Sequence, residues 1–392
     1  MPRPLVHLIA AGSFAWLAAS GQGATLTVET RTIPGLTPQS AMASHTIRLT
    51  GLIEGGDASR LRTVLEKLRA SPTKPAPGSP LATLELSSKG GDLYEGLKLG
   101  YLIREFDVAT MVRAHDLCLS ACALAFLGGT QSHEAAKAIP SRSLEIGGQV
   151  GFHNFYLTSP SDLSANARDG REGVVVGFNA ARGGAAAMVR YAAQMGIDPG
   201  FVGRVMGLPP DGWEYVDTDE MFVTLRVCPI GLRRLPSNPA AIAASICNHA
   251  TGGLGRASPL QARSLPIRDA RRHLLARVHD TAQAGSAKGP LASQLAAVLA
   301  SRDEALVDAV YAGLRSAGVP LPEVMSANYE VTGYSVGGVP MECHVSFTRS
   351  DPARYDVVLV SPAGLTKPFE TAPAACPALF LFERDEVLNP RR

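Results

Sequence analysis

Three short segments between Leu86 and His153 hold residue types that together can carry out acyl transfer. Ser87-Ser88-Lys89-Gly90-Gly91-Asp92 reads as a strand end with a glycine pair. Cys118-Leu119-Ser120-Ala121-Cys122 sets a serine at the start of an apolar helix, and Val150-Gly151-Phe152-His153-Asn154 closes a strand on a histidine. A serine hydroxyl is a weak nucleophile at neutral pH and needs a neighbouring base. Histidine titrates close to neutrality and can serve as that base. Glycine lets the backbone approach a reacting carbonyl, and N–H groups at a helix start can stabilise the oxyanion that forms. Nucleophile, base and oxyanion hole are therefore all present by type.

Alternating strand and helix patterns surround these segments. Strands are expected at Thr25–Thr32, His45–Ile53, Leu81–Ser87 and Val108–Val112. A helix is expected after Asp57 as N-cap, with Leu61, Val64, Leu65 and Leu68 on one face, and others over Leu93–Arg104 and Ser120–Leu127. Such alternation implies parallel sheet units with right-handed crossovers, an α/β region. Thr130–Ile146 reads as an irregular excursion before the strand Gln149–Phe155. A long helix over Glu172–Met195, a short one from Asp198 to Met206 and extended segments at Trp213–Val216 and Met221–Val227 follow.

Gly252–Pro266 has linker composition, which divides the chain into a domain over residues 24–250, a linker over 251–266 and a module over 267–392. That module reads as helices at Arg268–Ala284 and Leu291–Leu299, a helix announced by the capping box Ser301–Glu304, then strands at Tyr329–Ser335, Met341–Thr348, Tyr355–Val360 and Ala378–Glu383. It is a small α+β module.

Arg3, the apolar run Leu5–Ala19 and small residues from Ser20 to Ala24 match a secretory signal over residues 1–23, and the run is too short for a spanning helix. A periplasmic or secreted location follows, in which the six cysteines are expected as disulfides. Sequence proximity favours Cys228 with Cys247 and Cys343 with Cys376, leaving a Cys118–Cys122 bridge open. Cys118 and Cys122 have no nearby His/Cys cluster, so no metal and no cofactor is expected. With 46% hydrophobic content and a net charge of +2 spread along 392 residues, the chain is globular and has no electrostatic footprint for nucleic acid.

Leu84 to Asp92 with Gly96, then Cys118 to Cys122, then Gly151-Phe152-His153, in that order and spacing, resemble the Clp protease proteolytic subunit family. The likeness is greater to bacterial periplasmic proteins with a Clp-protease-like domain, and covers roughly residues 45–230. The resemblance implies a Clp/crotonase-like repeated ββα superhelix with Ser120 as nucleophile and His153 as general base. It further implies an oxyanion hole from the Gly90-Gly91 loop and Ala121, the N–H groups of Gly91 and Ala121 being the donors. At the family's acidic position this chain has Trp213; Asp211, two residues away, is favoured over Asp217 as third catalytic member.

The bland readings of the same residues are an N-cap serine, a structural histidine and a tight βα turn. His115 and His133 are alternative bases by type but read as surface residues in flexible segments, and Lys89 and Lys98 would suggest a Ser-Lys dyad like that of signal peptide peptidases but do not sit where that family's lysine would be. Two functions remain: an exported serine hydrolase, a peptidase by resemblance, acting on peptide or protein; or a catalytically inactive Clp-fold protein that binds a peptide or envelope partner. Acyl-CoA chemistry is disfavoured outside the cytoplasm. No ATPase partner is expected there, and homo-oligomerisation is left open.

Overall fold

The computed structural model describes residues 23–34, 41–132, 139–154, 170–232, 234–254, 256–284 and 290–391. The expected signal segment, apart from Gly23, and His133 lie outside the described residues. Among the described residues no helix is long and apolar enough to cross a membrane. The fold is mixed α/β with several sheets, and the chain divides into two compact units.

The first unit comprises the described residues up to Asp217 together with Thr224–Gly231 and Leu388–Arg392. In chain order it holds β1 (Thr25–Ile33), β2 (Met42–Thr50), α1 (Asp57–Ala70), β3 (Ala82–Ser87), α2 (Leu93–Glu105), β4 (Val108–Val112), β5 (Leu117–Leu119) and α3 (Ala121–Phe126). The two-residue strands β6 (Thr130–Gln131) and β7 (Ile139–Pro140) follow, then β8 (Arg142–Glu145), β9 (Gln149–Phe152), α4 (Gly170–Met195), α5 (Pro199–Met206) and β10 (Glu214–Tyr215). Last come α6 (Asp219–Leu225), whose first residues belong to the second unit, and β11 (Cys228–Ile230).

A six-stranded sheet runs β1-β2-β3-β4-β8-β11. It is parallel apart from the β1/β2 pair. Ile47, Leu49, Leu84, Leu86, Val108 and Val112 are fully buried in it, the near-continuous apolar burial expected where helices cover a parallel sheet. Leu61 and Leu65 of α1 and Leu99 and Ile103 of α2 are likewise fully buried. A separate three-stranded sheet, β10-β9-β5, ends beside Ser120 and His153.

The second unit carries α7 (Pro239–Ala250), β12 (Arg256–Leu265), α8 (Ile267–Ala284), α9 (Pro290–Ala300), α10 (Glu304–Ser316), β13 (Ala327–Val336), β14 (Val339–Thr348), β15 (Asp351–Ser361) and β16 (Gly364–Thr366). Its five strands pair in sequence order, all antiparallel. Leu274, Leu275 and Val278 of α8 pack with Leu295, Val298, Val307 and Tyr311 of α9 and α10 and with Val358 of β15.

Several expectations are corrected. The linker expected at 251–266 is largely β12, a full edge strand, and α7 belongs with the second unit rather than closing the first. Met221–Val227, rich in β-branched residues, is mostly the helix α6, because Met221, Phe222 and Leu225 recur with helical rather than alternating spacing and are all buried. Ala378–Glu383 is largely a 3-10 helix, Pro377–Leu381. Gly56, not Asp57, is the cap of α1; Asp57 is buried and accepts the N–H groups of Ala24 (3.2 Å) and Glu54 (2.9 Å). Asp303 caps α10, accepting from Ala305 and Leu306, where Ser301 was expected. Cys247 pairs with Cys343, tying α7 to β14, so neither Cys228–Cys247 nor Cys343–Cys376 forms; none of the six cysteines is free. That degree of oxidation fits an oxidising compartment.

The supposed excursion before His153 contains β8, an interior strand of the large sheet. Its Arg142 is fully buried and donates to Leu225 O (2.7 Å) and Met195 O (3.0 Å), the last residues of α6 and α4. One guanidinium thus caps two helix C-termini, where carbonyls lack intrahelical donors and a positive charge is favoured. Burial pulls its pKa down to about 9, so it remains a cation at neutral pH. We expect Arg142→Ala to lower unfolding free energy by about 3–5 kcal/mol in a denaturant titration, since it strands two buried carbonyls and opens a cavity. A loss below about 1 kcal/mol would contradict this capping role.

Candidate active site

Pairing between β5 and β9 brings Ser120 and His153 together. The two strands are parallel, with Leu117, Cys118 and Leu119 opposite Gln149, Val150 and Gly151. Ser120 N–H then donates to Gly151 O at 2.9 Å. Serine and histidine therefore leave neighbouring strands at the same end, and His153 Nε2 lies 2.7 Å from Ser120 Oγ. This is hydrogen-bond distance, the contact a base needs to activate the hydroxyl.

Ser120 has φ 56 and ψ −123, an uncommon conformation for a residue with a side chain. Such a conformation costs about 1–3 kcal/mol and persists only where its surroundings impose it. Three contacts do so here. Ser120 N–H is tied to Gly151 O, Ser120 O accepts from Leu124 N–H at 3.2 Å, and the Cys118–Cys122 disulfide bridges strand to helix across the serine. The sharp strand-to-helix turn sets Oγ toward His153. Because α3 has only six residues, its macrodipole contributes little; Ala121 N–H, lacking an intrahelical acceptor by position, matters more.

The glycine pair is clamped beside this turn. Ser88 N–H donates to Leu117 O (2.6 Å) and Leu119 N–H to Ser88 O (3.0 Å), which joins the end of β3 to β5. On the other side, Ile53 N–H donates to Gly90 O (2.8 Å) and Asp92 N–H to Ile53 O (2.9 Å). A Cβ at Gly91 would stand 2.0 Å from Ile53 O, and one at Gly90 would stand 2.7 Å from Ser120 Cβ. Both residues also have positive φ, so only glycine fits. Gly90 N–H already donates to Ser88 Oγ at 3.1 Å. Its part is therefore close approach, and the bridge to Ile53 uses neither polar group of Gly91, whose N–H points away from it.

Antiparallel pairing of β10 with β9 sets Glu214 opposite Phe152, which brings Trp213 to His153. Their rings lie 4.4 Å apart, and Tyr215 stacks behind Trp213 at 5.9 Å. Asp211 is exposed in the turn ahead of β10, and the indole of Trp213 packs on the imidazole. Burial lowers the His153 pKa below its ordinary 6.5, with the Asn154 backbone acting weakly in the opposite sense. Asn154 itself is anchored by donation to Met206 O at 2.9 Å. Among the alternative bases, Lys98 is held by Glu95 at 3.0 Å, Lys89 is exposed, and His115 lies in the turn before β5, while the imidazole that meets Ser120 is that of His153.

Two supporting contacts were not foreseen. Asn389, near the chain end, accepts from Gly147 N–H and donates to Gly148 O, both at 2.8 Å, bracing the loop that leads into β9. Trp213 was visible only as a misfit in the family pattern. A cavity of about 470 Å³ occurs in the second unit, lined by Pro320, Tyr355, Lys367 and Phe380; it includes neither Ser120 nor His153.

No family model and no curated protein matches the chain. Among solved structures it is similar to a point mutant of ClpP1 from Listeria monocytogenes, with a TM-score of 0.34 and 14% identity over 48% of this chain and 92% of that one.

Because a protonated imidazole cannot accept the serine proton, modification of Ser120 by an electrophile should fall as pH drops, with an apparent pKa below 6.5. Pseudo-first-order labelling rates between pH 4.5 and 8 measure it. A midpoint above 7 would contradict the burial argument.

Proposed function

We propose that the chain is an exported serine hydrolase of Clp-like type, acting as a peptidase on peptide or protein substrates without an ATPase. The observation that carries this reading is the 2.7 Å contact between Ser120 Oγ and His153 Nε2 on a turn that holds the serine at positive φ. A bridged, strained serine is costly for a fold to keep for packing alone.

In the reaction, Ser120 Oγ attacks the substrate carbonyl carbon while His153 Nε2 takes its proton. The carbonyl oxygen becomes an oxyanion and accepts hydrogen bonds from Gly91 and Ala121 N–H. His153 then returns the proton to the leaving amine, which departs as the acyl–Ser120 ester forms. Water, deprotonated by His153, hydrolyses that ester and restores the serine. Trp213 fixes the imidazole plane by packing, and Asp211 is the acid that the resemblance offers behind it. An exposed carboxylate stabilises an imidazolium weakly, so turnover is expected to be slow beside a complete triad, whose acid contributes on the order of 10⁴-fold.

The half-buried indole at the acid's position favours the competing reading, a binding protein that has kept the fold without the chemistry. Fluorophosphonate labelling followed by intact mass separates the two. The native protein should gain one adduct and Ser120→Ala none; His153→Ala should label about 100-fold more slowly or worse, and Asp211→Asn within about tenfold of native. An unlabelled native protein, or an adduct that persists in Ser120→Ala, would favour the binding reading.

A further inference from the structure

The second unit gathers two histidines and two glutamates that the hydrolase reading does not use. Glu342 and His344 alternate on β14 and so share one face of the sheet, while Cys343 between them points the other way to its disulfide with Cys247. Register sets Glu330 of β13 opposite His344, and His273 of α8 reaches the same place. One ligand atom from each of these four residues lies within 4.8 Å of the other three.

A plain ion-pair network explains only part of this. Arg263 Nε donates to Glu330 Oε2 at 2.7 Å, and Arg277 donates to Glu342 Oε1 and Oε2 at 2.5 and 2.8 Å. Those two arginines already answer both carboxylates. The histidines are left over: His273 Nε2 and His344 Nε2 are buried atoms without a hydrogen-bond partner among the described residues, and His344 as a whole is only 3% exposed. Leaving a buried imidazole nitrogen unsatisfied costs about 1–3 kcal/mol.

Both nitrogens are aimed into the cluster. His273 Nε2 stands 3.4 Å from Glu330 Oε1 and 4.0 Å from Glu342 Oε2, and His344 Nε2 stands 3.6 Å from Glu342 Oε2. These gaps are long for hydrogen bonds. They are close to the edges of a tetrahedral site, about 3.4 Å for bonds of about 2.1 Å. The arginines hold the carboxylates from outside, as groups around a metal centre orient its ligands.

We infer that His273, Glu330, Glu342 and His344 form a binding site for one divalent transition-metal ion, zinc by its two-imidazole, two-carboxylate donor set. Imidazole with carboxylate excludes a calcium or magnesium preference, since those ions take oxygen ligands alone. The adjacent Arg263 and Arg277 repel the ion, so affinity is expected in the micromolar rather than the picomolar range. Its position on α8, β13 and β14 makes the site a staple between helix and sheet within the second unit.

Calorimetric titration of the full, untagged and chelator-treated chain with Zn²⁺ tests this, with Co²⁺ absorption reporting the coordination geometry. One equivalent should bind and raise the melting temperature, and Co²⁺ should give the intense visible bands of tetrahedral coordination. His273→Ala, at a partly exposed helix position, should weaken binding by about 100-fold or more, and Glu342→Gln, if the first variant unfolds, should do the same. Absence of saturable binding to the native chain, or one-equivalent binding that survives both substitutions, would overturn the site. Calcium competing as well as zinc would overturn the donor-set assignment. Fluorophosphonate labelling of Ser120 should be unchanged by the metal, which keeps failure here distinct from failure of the hydrolase reading.

Discussion

The parallel register of β5 on β9 is the constraint from which the candidate site follows. A slip of one residue would turn every side chain of β5 to the opposite face and carry Ser120 away from His153. The register is held from several directions: the Ser88 bridge to β5, the Ser120 N–H bond to Gly151, the pairing of β10 on the far side of β9, and the Cys118–Cys122 bridge. Three short strands would hold it poorly by themselves, so these neighbours supply the rigidity that a pair within 2.7 Å requires.

The same neighbours account for the strained serine. A residue with φ 56 is retained because both its backbone polar groups are bonded and its flanking cysteines are joined. Gly90 and Gly91 complete the arrangement by leaving no Cβ where the serine and Ile53 approach. The least conventional part is the environment of His153. The Trp213 indole packs on the ring, while burial favours its neutral form over the imidazolium.

Ser120, His153 and the glycine pair could be picked out from residue type because each sits at the end of a short, well-patterned element, where local chemistry decides the structure. Arg142 could not, since a lone arginine between two serines reads as surface and its two carbonyl partners lie 53 and 83 residues downstream. For α6, Val223, Thr224 and Val227 suggested a strand, and only the burial of Met221, Phe222 and Leu225 on one side reveals the helical period. The Cys247–Cys343 bridge spans 96 residues, and proximity along the chain is a poor guide when a helix packs on a distant strand. The four-residue cluster was equally hidden, because its parts reach one place only through the pairing of β13 with β14 and the passage of α8 over that face.

We propose Ser120 as an activated nucleophile that faces two backbone donors. A crystal structure of the protein after reaction with a fluorophosphonate tests it most directly. Continuous density is expected from Ser120 Oγ to phosphorus, with one phosphoryl oxygen about 2.7–3.1 Å from both Gly91 N and Ala121 N. Phosphorus on another residue, or a phosphoryl oxygen that contacts neither N–H, would contradict it.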